Sequence, residues 1–272
     1  MKNVSKVWFA RLTLAAILIS AGLATSALAQ DVDIAAAETG GAKENIVGLG
    51  IGIAPEYEGS DDMKAVPLLQ ARFNFANGMN LGLFGNTLRF DMCPDTTWNV
   101  GPMLRYRAER DDVDNDKVDR MKSVDAALEA GAFLNYSFEN WVVLFSAATD
   151  VSDAHDGSVL DFGVGYRHPL NPQTILTLFA KGSYASEDYM ETYFGVDGED
   201  ANRSGLTPYE ADDELKDVAL GGLLQHNIND RWGVLALFQY TKLLGDAADS
   251  PLVDDEGSDN QLIVGVIANY RF

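Results

Sequence analysis

No run of residues beyond the N-terminus is apolar for long enough to make a membrane-crossing helix, yet segment after segment of roughly ten residues alternates apolar and polar side chains. Successive side chains of a strand point to opposite faces, so each such segment carries one apolar and one polar face. Over residues 124–138, Val124, Ala126, Leu128, Ala130, Ala132, Leu134, Tyr136 and Phe138 share a face, while Asp125 and Glu129 lie together on the other. Over residues 98–109, Trp98, Val100, Pro102, Leu104 and Tyr106 oppose Arg105, Arg107 and Glu109. Leu160, Phe162, Val164 and Tyr166 alternate with Asp161, Gly163, Gly165 and Arg167. At the C-terminus, Leu262, Val264, Val266, Ala268, Tyr270 and Phe272 oppose Gly265, Asn269 and Arg271. An apolar face on lipid around a polar interior gives this pattern, and so does a soluble sandwich with its apolar face turned inward.

Three features favour the membrane reading. The N-terminus has the form of a secretory leader: Lys2, Lys6 and Arg11, then an apolar stretch over residues 12–23, then Ala27-Leu28-Ala29 as a cleavage site. That stretch falls short of the ~20 residues a transmembrane anchor needs. Aromatic residues stand at the ends of apolar faces, among them Trp98, Tyr136, Trp141, Tyr166, Trp232 and Tyr270. Short links at 76–78, 94–96, 139–140, 170–172 and 229–230 mostly alternate with longer polar links at 55–65, 110–122, 151–157, 185–213 and 245–259; a tight link at Gly85-Asn86 breaks the alternation. Short periplasmic turns and long extracellular loops give that rhythm. The expected fold is all-β: one antiparallel transmembrane β-barrel of about twelve strands over residues 45–272, with ten as the alternative count. Residues 1–29 form the cleaved leader, and 30–44 a flexible periplasmic segment.

The chain carries a net charge of −21, and the leader contributes cations and no acids, so the exported form is more acidic still. Nucleic acid is a poor partner for such a chain. The lone Cys93 is either a buried apolar filler or a free thiol. Acidic residues crowd the long links, and Asp112-x-Asp114-x-Asp116 opens like a calcium-binding loop, but Lys117 and Ser123 stand where that loop needs glycine and glutamate. Solvated loop charge is the favoured reading, with no metal or other cofactor; a negative rim would still steer cations inward. His155, His168 and His226 fall in no recognisable arrangement with a nucleophile, so no catalytic residue is named and a non-enzymatic role is expected.

The first strand and loop read Gly48-Leu49-Gly50-Ile51-Gly52-Ile53-Ala54-Pro55-Glu56-Tyr57-Glu58-Gly59-Ser60-Asp61-Asp62. This closely resembles the opening of the MipA/OmpV family of outer-membrane proteins. Pro67, Gly101-Pro102 with Tyr106-Arg107, Glu129-x-Gly131 and the terminal Tyr270-x-Phe272 are similar to that family in order and spacing. The resemblance implies an outer-membrane barrel that interacts with a lytic transglycosylase and bridges it to a peptidoglycan-synthesising penicillin-binding protein. It leaves open a general outer-membrane role, and a small cation-preferring channel is the alternative.

Within the motif, Pro55, Tyr57, Gly59, Ser60 and Asp61 read first as turn chemistry that shapes the loop or holds it across the barrel mouth. Parity sends Arg72, Arg89, Asp91, Arg105, Arg107, Glu109, Asp125, Glu129, Asp161, Arg167, Asp217 and Arg271 into the lumen. Such a mixture either lines a narrow pore or fills the interior with ion pairs, and a barrel of about this size favours partial filling. Tyr270 and Phe272 form the aromatic C-terminal strand that barrel-assembly machinery commonly recognises, which adds that machinery and membrane lipid to the expected partners.

Overall fold

A computed structural model of the chain describes residues 44–95 and 97–272, so the expected leader and all but the last residue of the expected periplasmic segment lie outside the described residues. Twelve strands close into one antiparallel barrel. They are β1 (Ile46–Pro55), β2 (Met63–Asn74), β3 (Asn80–Phe84), β4 (Thr87–Asp91), β5 (Trp98–Arg107), β6 (Ala127–Phe138), β7 (Trp141–Asp150), β8 (Ser158–Asn171), β9 (Thr174–Ala185), β10 (Glu214–Asn227), β11 (Trp232–Leu243) and β12 (Asn260–Arg271). Each strand pairs with its sequence neighbours, and β1 pairs with β12 from Ile46↔Arg271 to Ile53↔Val264. Around Gly85-Asn86 two five-residue strands, β3 and β4, pair as a hairpin, which sets the count at twelve and not ten.

The outer wall is apolar and open. Leu49 is 66% exposed and Leu220 62%, and Phe145, Phe162 and Phe238 are exposed beside them. So much large apolar surface is stable against lipid and costly against water. At the ends of the short turns, facing aromatics pair across strands: Trp98 with Tyr136 at 4.5 Å, Trp141 with Tyr166 at 4.7 Å and Trp232 with Tyr270 at 5.0 Å between ring centroids. They form the interfacial girdle at the periplasmic rim.

The interior differs from the expected polar lumen along one arc. Leu68, Phe179, Leu223, Leu235, Ile263 and Ile267 all point inward from β2 and β9–β12 and pack together, fully buried. Glycines give them room: a Cβ at Gly221 would lie 2.1 Å from the Phe179 ring, and one at Gly265 would lie 2.3 Å from Leu68. Only the arc from β5 to β10 and the periplasmic end of the interior are lined by charge.

Candidate functional site

The register itself builds a polar belt in the extracellular half of the lumen. Arg105 on β5 faces Glu129 on β6. Further round, Ser146, Asp161, Ser183 and Asp217 stand opposite one another across β7, β8, β9 and β10. Arg105 joins the two groups, donating to Glu129 Oε2 at 3.4 Å and to Asp161 Oδ2 at 2.6 Å. Ser146 and Ser183 donate to the remaining Asp161 lone pairs at 3.0 and 2.8 Å. Arg107 Nε donates to Glu129 Oε1 at 2.8 Å, and His155 Nε2 lies 3.2 Å from that oxygen. Because Gly157 N–H donates to His155 Nδ1 at 3.0 Å, the imidazole proton sits on Nε2 and points at Glu129. Glu129 and His155 are fully buried, so each charge here depends on its partners instead of water.

Lys216, which alternation hides, completes the belt. A β-bulge between Leu215 and Asp217 turns two consecutive side chains inward, and Lys216 Nζ bonds Asp217 Oδ2 and Glu58 Oε1, each at 2.5 Å. Glu58 descends from the β1–β2 loop, and Tyr189 donates to its second oxygen at 2.6 Å. Burial alone would raise the Glu58 carboxyl, but the Lys216 and Arg107 charges and the two hydrogen bonds outweigh it and hold it below the ordinary glutamate value. A depressed folded-state value means that this stabilisation is complete above the unfolded value of about 4.3 and is lost as pH falls through the folded one. The urea midpoint of the barrel should therefore drop on acidification below that window, and Glu58→Gln should flatten this part of the profile. An identical acid limb in the variant would remove Glu58 from the account.

Over the belt lies a cap made by the long loops. The β9–β10 loop holds helices α1 (Glu187–Phe194) and α2 (Gly198–Ser204), and the β11–β12 loop holds α3 (Gly245–Asp249) and α4 (Pro251–Asp254). One face of α1, Tyr189, Met190, Tyr193 and Phe194, packs with Tyr57, Val118, Met121, Leu206, Leu252 and Val253 into a buried core that joins four loops. Arg107 lies under the rings of Tyr189 and Tyr193, at 4.9 and 5.6 Å, and couples the cap to the belt. Arg110 Nη1 donates to Tyr193 O at 3.0 Å, near the C-terminal end of α1, where a cation suits the helix dipole.

The loop motif holds this cap. Gly59, at φ +99°, passes so close to Val253 that a Cβ would lie 2.6 Å from it. Gln261 on β12 receives Gly59 N–H at 3.4 Å and donates to Ser60 O at 3.1 Å. Ser60 Oγ accepts from Asp62 N at 3.1 Å, and Tyr57 is buried in the cap core, where desolvation pushes its phenol up to about 12. Pro55 ends β1 and is buried, whereas Asp61 is exposed.

Of the side chains expected in the lumen, Arg72, Arg89, Asp91, Arg105, Arg107, Glu129, Asp161 and Asp217 are buried on inward positions, and Arg167 and Arg271 are half-buried there. Glu109 and Asp125 are exposed instead. The chain leaves the sheet at Arg107 and rejoins it at Ala127, so parity counted past the strand ends misplaces both. Cys93 is half-buried at the β4–β5 turn and free. Among the described residues no group of three or more His, Cys, Asp or Glu side chains gathers as a metal site would.

A closed twelve-stranded wall with a lipid-facing exterior, interfacial aromatics and a capped, ion-paired interior defines an outer-membrane β-barrel. The family model for the MltA-interacting protein MipA matches residues 47–272, and the chain belongs to that family. It is similar to the outer membrane protein Omp26La of Vibrio anguillarum, 30% identical over 199 residues that cover 72% of this chain and 71% of that one. OmpV of Vibrio cholerae serotype O1 is 31% identical over 200 residues, 72% of each chain. The MltA-interacting protein of Escherichia coli K12 is 29% identical over 136 residues, 50% of this chain and 52% of that one. These relatives bear the names of outer membrane proteins or of an interacting protein, not of enzymes.

Proposed function

We propose that the protein works by binding and not by catalysis, as an adaptor that holds cell-wall enzymes at the outer membrane through its periplasmic side. The observation that carries this reading is the cap: a buried apolar core joining four loops stands across the extracellular mouth, over a belt of paired charges. A barrel closed in this way is suited to anchoring more than to passage. The relative named for interaction with MltA supports the same direction. By resemblance, the partners are a lytic transglycosylase and a penicillin-binding protein.

The periplasmic turns are short, so residues 30–44 are the handle this reading assigns. Folded mature protein on beads should capture both enzymes, and removal of residues 30–43 should abolish capture. Capture of neither enzyme by the intact chain would refute the adaptor role, and undiminished capture by the truncated chain would refute the handle. The intact barrel should also be silent in a planar bilayer; steady cation-selective steps would make the small channel the better account.

A further inference from the structure

The β7–β8 loop, residues 151–157, is strained and held by two acceptors. Asp150 at the end of β7 receives the N–H groups of Ala154, His155 and Asp156 on one oxygen, at 2.6, 2.8 and 3.1 Å, and that of Ser152 on the other at 2.8 Å. His155 Nδ1 receives Gly157 N–H at 3.0 Å. Between these anchors Asp153 and Asp156 stand at φ +59° and +54°, left-handed backbone that costs an L side chain free energy. The loop keeps this shape only while its anchors hold.

The same loop is the seat of the cap. A Cβ on Gly157 would lie 2.5 Å from Tyr189 N and 2.8 Å from Tyr189 Cα, so the loop backbone touches the first turn of α1. Next to it, Ser158 N donates to Ser186 Oγ at 2.9 Å and Ser186 N to Ser158 O at 3.0 Å, which ties the residue before α1 to the start of β8. The buried His155 ring packs on Tyr189 and Tyr193, at 5.2 and 5.6 Å between centroids. A displacement of Gly157 therefore displaces α1.

A neutral imidazole fits this place and an imidazolium does not. The neutral ring offers one acceptor, used by Gly157, and one donor, which faces Glu129. A second proton would sit on Nδ1 and point at Gly157 N–H, donor against donor. No spare anion stands by to compensate. Glu129 on β6 already receives Arg105 and Arg107 of β5, and Glu58 of the β1–β2 loop is taken by Lys216 of β10 and Tyr189 of α1. Asp150 is occupied by backbone N–H groups, and Asp153 and Asp156 are exposed to solvent.

We propose that His155 is a proton-released latch on the cap: its protonation breaks the Gly157 bond, the strained loop relaxes, and α1 lifts from the extracellular mouth. The closed cap binds fewer protons than the open one, so closure is lost as pH falls. Histidine is the side chain whose charge ordinarily changes between pH 5 and 8, above the acid window in which Glu58 loses its charge.

The test is hydrogen–deuterium exchange of the folded barrel in detergent at pH 7.5 and 5.5, with rates converted to protection factors so that the intrinsic pH dependence of exchange drops out. Protection of residues 187–194 should fall about tenfold on acidification, while that of strands β10 and β11 holds. Asparagine places a carbonyl where Nδ1 lies and cannot titrate, so His155→Asn should keep α1 protected at both pH values. Glutamine reaches Glu129 but brings no acceptor to Gly157, so His155→Gln should leave α1 weakly protected at both. Unchanged protection of α1 in the parent, an equal fall in His155→Asn, or full protection in His155→Gln would overturn the inference. The parent's own response decides the matter even where a variant does not fold. No cell-wall enzyme enters the assay, so its outcome is separate from that of the adaptor role.

Discussion

Glu129→Ala should destabilise the folded barrel by about 3–5 kcal/mol, the usual consequence of removing one partner from a buried charge network. Glu129 receives Arg105, Arg107 and His155, and water does not reach any of them to replace it. The loss should spread upward, because Arg107 also supports Tyr189 and Tyr193 of α1, so the cap and the belt should loosen together. Urea unfolding in detergent, followed by the fluorescence of Trp98, Trp141 and Trp232, measures the effect. Glu129→Gln keeps the shape and one acceptor and should fall between the alanine variant and the parent. A loss below about 1 kcal/mol for alanine, the scale of a solvated surface pair, would mean that the belt is hydrated.

Deleting Phe272 should reduce folded protein in the outer membrane severely. The last residue sits on the closing seam: its N–H donates to Asn45 O at 3.0 Å beyond the final β1–β12 pair, Ile46↔Arg271. Its ring stacks on Tyr270 at 6.3 Å and meets Phe73 edge-on at 6.4 Å, so it also ties β12 to β2 across β1. Closure of a barrel completes only when its first and last strands join, and an unjoined edge exposes unpaired backbone to lipid. Outer-membrane fractionation with heat-modifiability on gels reads the folded fraction. Replacement by Tyr, which keeps an aromatic terminus, should retain much of it; normal levels after the deletion would show that the seam and its recognition do not depend on this side chain.

The parts of this architecture that the sequence displays are those governed by nearest-neighbour alternation. β8 shows its outward face because most of its inward positions hold charge or glycine, and β6 and β12 show theirs because polar or glycine residues, Glu129, Gly131 and Asn135 on the one and Gly265, Asn269 and Arg271 on the other, interrupt the inward face. The apolar arc does not announce itself: Phe179, Leu223, Leu235 and Leu237 are flanked by outward residues that are equally apolar, so the period of two fades. Lys216 is hidden for another reason, since a bulge shifts parity by one and no local signal marks it. Glu58 and His155 are loop residues, and their burial depends on contacts distant in sequence, such as Tyr189 with Glu58. The cap core has the same cause: Tyr57, Met121, Tyr189 and Leu252 come from four loops with no shared period. Arg105, Arg107, Glu129 and Asp161 were legible as inward charges, but which of them meet is set by register.

The cap also limits how this protein's outer surface can drift. In most barrels the cell-surface loops are free to be rewritten under pressure from antibodies or phage, because little packs against them. Here the undersides of four loops form one shared interior, so replacing Tyr57, Met190 or Leu252 disturbs all four at once. Side chains that can change without touching that interior are the outermost ones, such as Asp61, Asp112, Glu199 and Asp213, which are exposed. An antibody raised against the shape of the cap, and not against those side chains, would be difficult to escape without unfolding it.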